Sequence, residues 1–418
     1  MPDDRMESAL AAELDRLTES GTHKGRETVL AGVIPASGGP AGNGRGPRYR
    51  LAGEGTRDYL RMNANSYLGL GLHEAVIAAE EAAVRACGTG PGAVRFISGT
   101  WAPHIELETR LAAFHGRQAA MIFSSAYATV VGVLAPLITA ETAVISDALN
   151  HNSIINALRL SRPKRKEIYR HLDMSELDAR LEACAADCTR AIVITDGIFS
   201  MRGDHAPLHE IVEIARKHDG AYAENVVVVA DDSHGVGAFG ETGRGTEEYC
   251  GGAPVDLLIA TLGKAFGVNG GYLAASRTIV DYLRETSPFY IYSNPITPGE
   301  AAAASRAVAI VDSAEGQALL DHLRRMTARF EAGLTALGYE TIPGPHPVVP
   351  LMVRDTAKTT AMVAHLHENA ILATGLNYPV VPRGDEEIRF QVSADHTEAD
   401  IDEALAVLAA FPGRSDGV

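Results

Sequence analysis

Several residue types are scarce in this chain, and each scarcity excludes something. Only four of its 418 residues are cysteine (Cys87, Cys184, Cys188 and Cys250), too few and too scattered for a disulfide framework. Cys184 and Cys188 lie one helical turn apart, but no second cysteine or histidine pair stands near to complete a zinc site, so no metal is expected. No uninterrupted apolar run approaches the roughly 20 residues that cross a bilayer. Positive charge is in deficit: 37 Lys and Arg against 53 Asp and Glu leave a net −16. Such a field repels phosphates, which argues against a nucleic-acid partner and against an anionic membrane surface. The N-terminal stretch MPDDRMESALAAELDRL carries five acidic residues and no apolar signal core. It reads as an amphipathic helix, and a cytoplasmic location is expected. With 46% hydrophobic and 22% charged residues, the composition is that of a globular protein, neither disordered nor fibrous.

The chain does contain a regular alternation. From about residue 70, short apolar runs (119–123, 143–146, 191–195, 226–230, 257–261) are separated by stretches of helical period such as 174–187 and 207–220. Strands that are apolar throughout and divided by helices predict a mainly parallel sheet covered on both faces, with chemistry gathered at the loops leaving the strands' C-terminal ends. After Pro295 the pattern changes. An Ala-rich helix (298–315) and another (316–337) lead to apolar segments near 348–353 and 387–393, then to a last helix (398–410). The expected division is an N-terminal helix and loop segment (1–60), a large domain (61–295) and a small α+β domain (296–418). Residues 37–47 read as a Gly/Pro-rich loop. Its Gly42-Asn-Gly-Arg-Gly46 is no dinucleotide fingerprint, because no apolar strand feeds it.

Lysine is the most informative scarcity. There are six, and arginine supplies the other 31 of the 37 positive charges. Lys264 follows an apolar strand inside Thr261-Leu-Gly-Lys-Ala-Phe-Gly-Val-Asn-Gly-Gly271, among small and apolar residues. Desolvation there lowers an amine's pKa and makes it a nucleophile; the bland alternative is a lysine snorkelling from a loop. A second strand end, VVVVA, runs into Asp231-Asp-Ser-His234. That cluster could by itself bind a metal, but His365-Leu-His367-Glu368 lies far downstream on a helical pattern and reads as a solvated face. A carboxylate at one strand end and a lysine at the next match a pyridoxal-phosphate pocket, the lysine forming the Schiff base and the aspartate pairing with the pyridinium nitrogen.

Further segments carry a resemblance. They are Asn63-Ala-Asn-Ser-Tyr-Leu-Gly-Leu70, Val94-Arg-Phe-Ile-Ser-Gly-Thr100 with His104 and Glu108, Ser146-Asp-Ala-Leu-Asn-His151, Thr195-Asp-Gly-Ile-Phe-Ser-Met201 and Asp231-Asp-Ser-His234. Gly240 to Cys250, Thr261-Leu-Gly-Lys264, and Ile388-Arg389 with Ser393-Ala394 complete the set. In this order, over roughly residues 60–400, the chain resembles the α-oxoamine synthases, nearest to their aminoketobutyrate-ligase (glycine C-acetyltransferase) branch. These are fold-type-I pyridoxal-phosphate enzymes that condense an amino acid with an acyl thioester. The resemblance implies a large domain on a mainly parallel seven-stranded sheet, pyridoxal 5'-phosphate as cofactor, and a homodimer with shared active sites. It implies that Lys264 holds the cofactor and shuttles a proton, that Asp231 keeps the pyridinium protonated, and that His151 stacks on the ring. His234 and Ser200 would bond the ring's phenolic oxygen or the incoming carbonyl. Thr261 and the turn Ser125-Ala126-Tyr127 would hold the phosphate, with Ser293 in the stretch that reaches the partner subunit's phosphate. Arg389 and Asn65 would clamp the substrate carboxylate.

The implied substrates are glycine or a similar small amino acid and acetyl-CoA. A longer acyl-CoA, an acyl chain on a carrier protein, or another amino acid stay open, as does the fate of the amino acid's carboxylate. An aminotransferase or aldolase on the same fold is the rival enzyme class, against which the Asn-x-Tyr-Leu-Gly-Leu and His104/Glu108 segments speak. A non-catalytic regulatory module would need a fused DNA-reading domain or a lost lysine, and this chain has neither. Four places depart from the family pattern: Ala128 to Val131 where an asparagine is usual, Pro295 where a hydroxyl residue is usual, Arg202 at a normally acidic place, and the insertion Ala221–Asn225.

Overall fold

The computed structural model describes residues 3–20, 22–23, 25, 27–37, 44–251, 254–378 and 380–412. The Gly/Pro-rich stretch therefore lies largely outside the described residues. A seven-stranded sheet forms the centre, in the spatial order Ala119–Phe123, Gly271–Ala275, Leu257–Thr261, Val226–Asp231, Arg190–Asp196, Thr142–Asp147, Arg165–Tyr169. Six strands run one way, and Gly271–Ala275 is antiparallel to both its neighbours. Ala119–Phe123, Thr142–Asp147, Leu257–Thr261 and Gly271–Ala275 are buried along their whole length, and Arg190–Asp196 and Val226–Asp231 at all but one position each, as apolar runs covered by helices should be.

Two of the seven strands have no apolar signature. Arg165–Tyr169 (RKEIY) is an edge strand with alternating exposure; charges on an edge block pairing with another chain. Gly271–Ala275 begins in the glycine-rich loop after Lys264 and is only five residues long. Four helices fall inside the predicted bounds, Met174–Cys184, Leu208–Asp219, Pro298–Val311 and Glu398–Ala409, while Ala314–Ala336 starts two residues before the expected 316. The Pro298–Val311 helix opens with Pro at its first turn and a reciprocal Thr297/Glu300 cap, with Thr297 N donating to Glu300 Oε2 at 2.6 Å and Glu300 N to Thr297 Oγ1 at 3.1 Å. Its alanines at 301, 303, 304 and 307 are buried and let neighbouring helices approach closely.

A second, antiparallel sheet holds Glu340–Thr341, Val348–Met352, Glu387–Gln391 and Thr374–Leu376 in that order, with Arg389 opposite Pro350 and Thr374. The N-terminal helix Asp3–Glu19 leaves Met6, Leu10 and Leu14 exposed. The strand Arg48–Leu51 is tied to the last helix by Arg48, whose guanidinium reaches Asp400 at 2.6 Å. Among the described residues no helix is long and apolar enough to cross a membrane, and no cluster of three His, Cys, Asp or Glu side chains could hold a metal. The four cysteines are free. His365 and His367 are half-buried, a correction to the solvated face expected from their helical spacing. His365 Nε2 lies 2.9 Å from the Val407 carbonyl, and the His367 ring packs on Tyr59.

The motif residues His104 and Glu108 turn out to build the frame around the site. His104 Nδ1 accepts from Trp101 N at the start of the Ala102–Phe114 helix, and its Nε2 meets the Ile296 carbonyl at 2.9 Å. Glu108, buried, takes both Nη groups of Arg95 (3.1 and 3.2 Å), Nη2 of Arg284 (2.8 Å) and the backbone N–H of Ile122. One carboxylate thus joins a helix, a strand and two guanidiniums. Glu108→Ala leaves Arg95 buried and unpaired, and is expected to cost about 3–5 kcal/mol in denaturant unfolding. An unmoved unfolding midpoint would remove this role.

Candidate active site

Parallel register sets the site. Asp196 and Asp231 end neighbouring strands as direct partners, and Asp231 stands opposite Ile259 on the strand whose exit leads to Lys264. The C-terminal ends of the strands therefore bring together residues far apart in the chain, as open α/β sheets do. One narrow cleft is lined by Ala126, Tyr127, His151, Ser200, Asp231, His234 and Lys264, together with Asp196, Ser153, Ile198 and Ser233. A second, roomier cavity of about 500 Å³ meets it at Lys264 and is lined by Asn63, Asn65, Arg61, Asp395 and the apolar Leu30, Val33 and Leu72. Lys264 is shared by both.

The two adjacent aspartates separate by strand alternation. Asp231 faces the cleft and accepts from Ser233 Oγ (2.6 Å) and Ser233 N (3.2 Å). Asp232 points into the core, where its oxygens take Thr246 N (2.6 Å) and Thr246 Oγ1 (2.7 Å), and burial pushes its carboxyl up to about 7. Its work is to hold the start of the next helix. Asp196 was not singled out by sequence reasoning, although it lies in the Thr195-Asp-Gly motif. It is buried and accepts from His151 N at 3.0 Å; burial, then the neighbouring Asp231, raise its carboxyl well above the usual range. Burial also lowers the Lys264 ammonium to about 8, against the opposing pull of Asp231 and Asp196 and with a further push from Arg389.

Each histidine is oriented by a specific bond. His151 Nδ1 takes Ser153 N (3.2 Å) and lies 2.7 Å from Ser153 Oγ, which leaves Nε2 for the cleft. Burial holds it below its ordinary range, and the Asp231 charge acts the other way. His234 Nδ1 is 2.6 Å from the hydroxyl of the fully buried Tyr67, and its carbonyl accepts from His346 Nε2 at 2.9 Å. Burial, then Lys264, keep the His234 imidazole well below the usual value. Tyr67 and His346 are the other residues that sequence reasoning passed over: Tyr67 lay inside a quoted motif, while His346 carried no local signal.

At the other end of the cleft, Ser125 caps the Ala126–Leu137 helix, its Oγ accepting from Ala128 N at 3.1 Å. Backbone bonding in the helix begins with Thr129 N, so the N–H groups of Ala126 and Tyr127 at its start have no helical acceptor. A Cβ on Gly271 would stand 2.4 Å from Ala126 N; glycine there lets the helix start reach the strand end. Ala128 to Val131, where the family pattern differs, are buried in this helix. Thr261 Oγ1 is spent on the lysine loop, donating to Gly270 O (3.2 Å) and accepting from Gly263 N (3.1 Å). That loop packs on the Leu70–Gly71 turn through Gly267 at φ +71, where a Cβ would meet Gly71 N at 2.3 Å. Ser293 lies outside the cleft, its Oγ 3.5 Å from Asn294 O. Arg389 Nη1 donates to the Ser200 carbonyl at 3.0 Å. Arg202 pairs with Asp204 at 2.7 Å.

These donors fit pyridoxal phosphate on physical grounds. A helix start with free N–H groups suits a phosphate dianion, a carboxylate on a buried strand end suits a protonated ring nitrogen, and a desolvated amine between them suits an aldehyde. The comparisons agree. The family model for aminotransferase class I and II matches residues 57–408. The 2-amino-3-ketobutyrate coenzyme A ligase of Escherichia coli K12 is 41% identical over 362 residues, 86% of this chain and 88% of that one. The 8-amino-7-oxononanoate synthase of Geobacter metallireducens is 37% identical over 414 residues, 99% of this chain and 100% of that one. Among solved structures, the serine palmitoyltransferase of Sphingomonas wittichii superposes with a TM-score of 0.85 at 26% identity, covering 96% of both chains.

An amine attacks a carbonyl only when unprotonated. Capture of pyridoxal phosphate by the apoprotein should therefore rise with pH by about tenfold per unit and level off above about pH 8. Rapid-mixing absorbance reads this directly, and a midpoint near 10.5, the ordinary lysine value, would show that burial does not tune this amine.

Proposed function

Since the chain belongs to the class I and II aminotransferase family, and within it to the pyridoxal-phosphate-dependent α-oxoamine synthases, we propose that it joins the α-carbon of glycine to the acetyl group of acetyl-CoA. The observation that carries this reading is the Lys264 amine and the Asp231 carboxylate lining one cleft from adjacent strand exits. Bound pyridoxal phosphate supplies an aldehyde that takes up an amine and a ring that withdraws the electron pair left when a Cα–H bond breaks.

This chain's own groups do the rest. Lys264 Nζ holds the cofactor, and once the amino acid has displaced it, the free amine takes the α-proton; a base near pKa 8 suits that transfer at neutral pH. Asp231 would keep a proton on the ring nitrogen, with Asp196, its carboxyl pushed up by burial, beside it. His151 covers the ring face. Ser200 and His234 stand on the cleft wall where an oxygen of the ring or of the incoming acyl group needs a donor. The N–H groups of Ala126 and Tyr127 take the phosphate with Ser125, and Thr261 sets the height of the lysine loop beneath it. Arg389 and Asn65 hold the amino acid's carboxylate. In the overall change a C–C bond forms between Cα and the acyl carbon, the C–S bond breaks, the thiolate leaves, and the α-proton is carried off by Lys264.

In this reading residues 61–295 carry the cofactor and 296–418 close over the substrate. Residues 1–60, with exposed Leu30 and Val33 at the mouth of the second cavity, meet a second copy in a homodimer, to whose phosphate Ser293 contributes. The relatives' printed names cover both acetyl-type and longer acyl donors. The 41% likeness to an aminoketobutyrate ligase over most of both chains favours glycine and acetyl-CoA.

Two outcomes test the reading. Borohydride should fix the cofactor to Lys264 and to no other lysine, as peptide mass spectrometry reads; an adduct elsewhere in Lys264→Ala would remove the assignment. Arg389→Ala should raise the glycine KM by about 30- to 100-fold, the loss of roughly 2–3 kcal/mol from a charge-assisted pair. The acetyl-CoA KM should stay unchanged, and equal shifts in both would tell against the clamp.

A further inference from the structure

The Arg389–Asn65 pair has a third member that the substrate does not touch. Gln391 is 1% exposed and stands two residues beyond Arg389 on the strand Glu387–Gln391, so both side chains leave the same face of the sheet. With the Gln391 amide oxygen turned to the guanidinium, it accepts from Arg389 Nε at 3.2 Å and Nη2 at 3.1 Å and lies 2.9 Å from Asn65 Oδ1, to which the Gln391 NH2 donates. The opposite orientation would set NH2 against the guanidinium, donor against donor. The strand is held at this point by Gln391 N, which donates to Met62 O at 2.8 Å, three residues before Asn65. Arg389 Nη1 is separately held by the Ser200 carbonyl at 3.0 Å.

The inventory of donors has a direct consequence. A guanidinium has five N–H groups. Gln391 takes two and Ser200 one; the second N–H on Nη1 meets only the Met201 sulfur at 3.7 Å, a weak acceptor that a carboxylate oxygen displaces, so one N–H on each Nη nitrogen is open to the two oxygens of a carboxylate. Asn65, with its oxygen engaged by Gln391, has its own NH2 left over. Both arms of the clamp are thereby reduced to donors, while an α-carboxylate offers only acceptors.

We propose that Gln391 is a positioning residue for carboxylate recognition: one buried amide fixes the plane of the Arg389 guanidinium and the flip of the Asn65 amide, so that together they present donors alone to the amino acid. This rests on Arg389 and Asn65 being the carboxylate clamp. The arginine side chain is long and rotamer-rich, and fixing it before the substrate arrives removes that ordering cost from binding.

The test uses the holoenzyme and three variants: Gln391→Leu, which keeps the shape and removes both bonding ends; Gln391→Glu, which keeps the fork but cancels the guanidinium charge; and Arg389→Ala/Gln391→Leu. Glycine affinity is read from the absorbance change of the bound cofactor, and KM is measured for glycine and acetyl-CoA. Gln391→Leu is expected to weaken glycine binding about tenfold with the acetyl-CoA KM and the cofactor content unchanged. Gln391→Glu is expected to weaken it at least as much, and it serves as the measure if the leucine variant does not fold. The double variant should lose less than the sum of the two single losses, because part of the effect of Gln391 passes through Arg389. Glycine affinity within twofold of the parent in either folded variant, or additive losses in the double variant, would overturn the proposal. If Arg389→Ala itself leaves glycine binding unchanged, the clamp falls and this proposal with it; if Arg389→Ala weakens binding and the Gln391 variants do not, only the role of Gln391 falls.

Discussion

A partly desolvated amine and a buried carboxylate, each at the exit of a neighbouring parallel strand, form the constraint on which the rest of this structure depends. Lys264 and Asp231 stay near each other because their strands are hydrogen-bonded partners, and both end at the same edge of a sheet that is buried on both faces. Burial weakens the lysine's hold on its proton, and the nearby carboxylates only partly restore it. The balance leaves an amine that can be neutral near physiological pH, which a solvated lysine cannot be. Asp196, directly beside Asp231 in the ladder, is the adjustment that makes the arrangement tolerable. With its own carboxyl pushed up, the cleft need not hold two bare carboxylates side by side.

Several residues of the family motifs act on this pair at one remove. Tyr67 fixes His234 from one side while His346 holds its carbonyl from the other. Glu108 gathers two arginines and the strand Ala119–Phe123, whose exit turn is Ser125. Gly267 lets the lysine loop rest on the turn at Leu70–Gly71, so the segment carrying Asn65 and Tyr67 is placed against the segment carrying Lys264. The small sheet enters through Arg389 and Gln391. They reach the cleft by bonding to Ser200 and Asn65, which belong to two different segments of the larger part of the chain. The proposed carboxylate clamp is therefore part of the contacts by which the two sheets pack against each other.

Much of this was legible in the chain's text, and for identifiable reasons. A strand buried on both faces must be apolar throughout, so AAMIF, AIVIT, VVVVA and LLIAT announced themselves. A lone lysine among glycines after such a run, and a carboxylate ending another, announced the chemistry. Arg165–Tyr169 did not, because an edge strand buries one face only and its charges read as surface. Nor did Gly271–Ala275, whose short small-residue run looks like a continuation of the glycine loop. His104 and Glu108 were recognisable as motif residues, but not as a helix cap and a three-way brace, because their partners Ile296 and Arg284 lie far along the chain.

Local order, then, was settled by the text alone where burial is complete: which apolar runs are strands, which amine is desolvated, which family the ordered motifs resemble. Tertiary structure shows why Asp231 and not Asp232 faces the cleft, since alternation along the strand sends one inward to Thr246 and the other to the cleft. It also decided that Asp196 shares the site, that Thr261 braces its own loop, and that Gln391 joins Arg389 to Asn65. The physical reason is common to all of these: a hydrogen bond depends on distance and direction across the fold, and spacing along the chain carries neither.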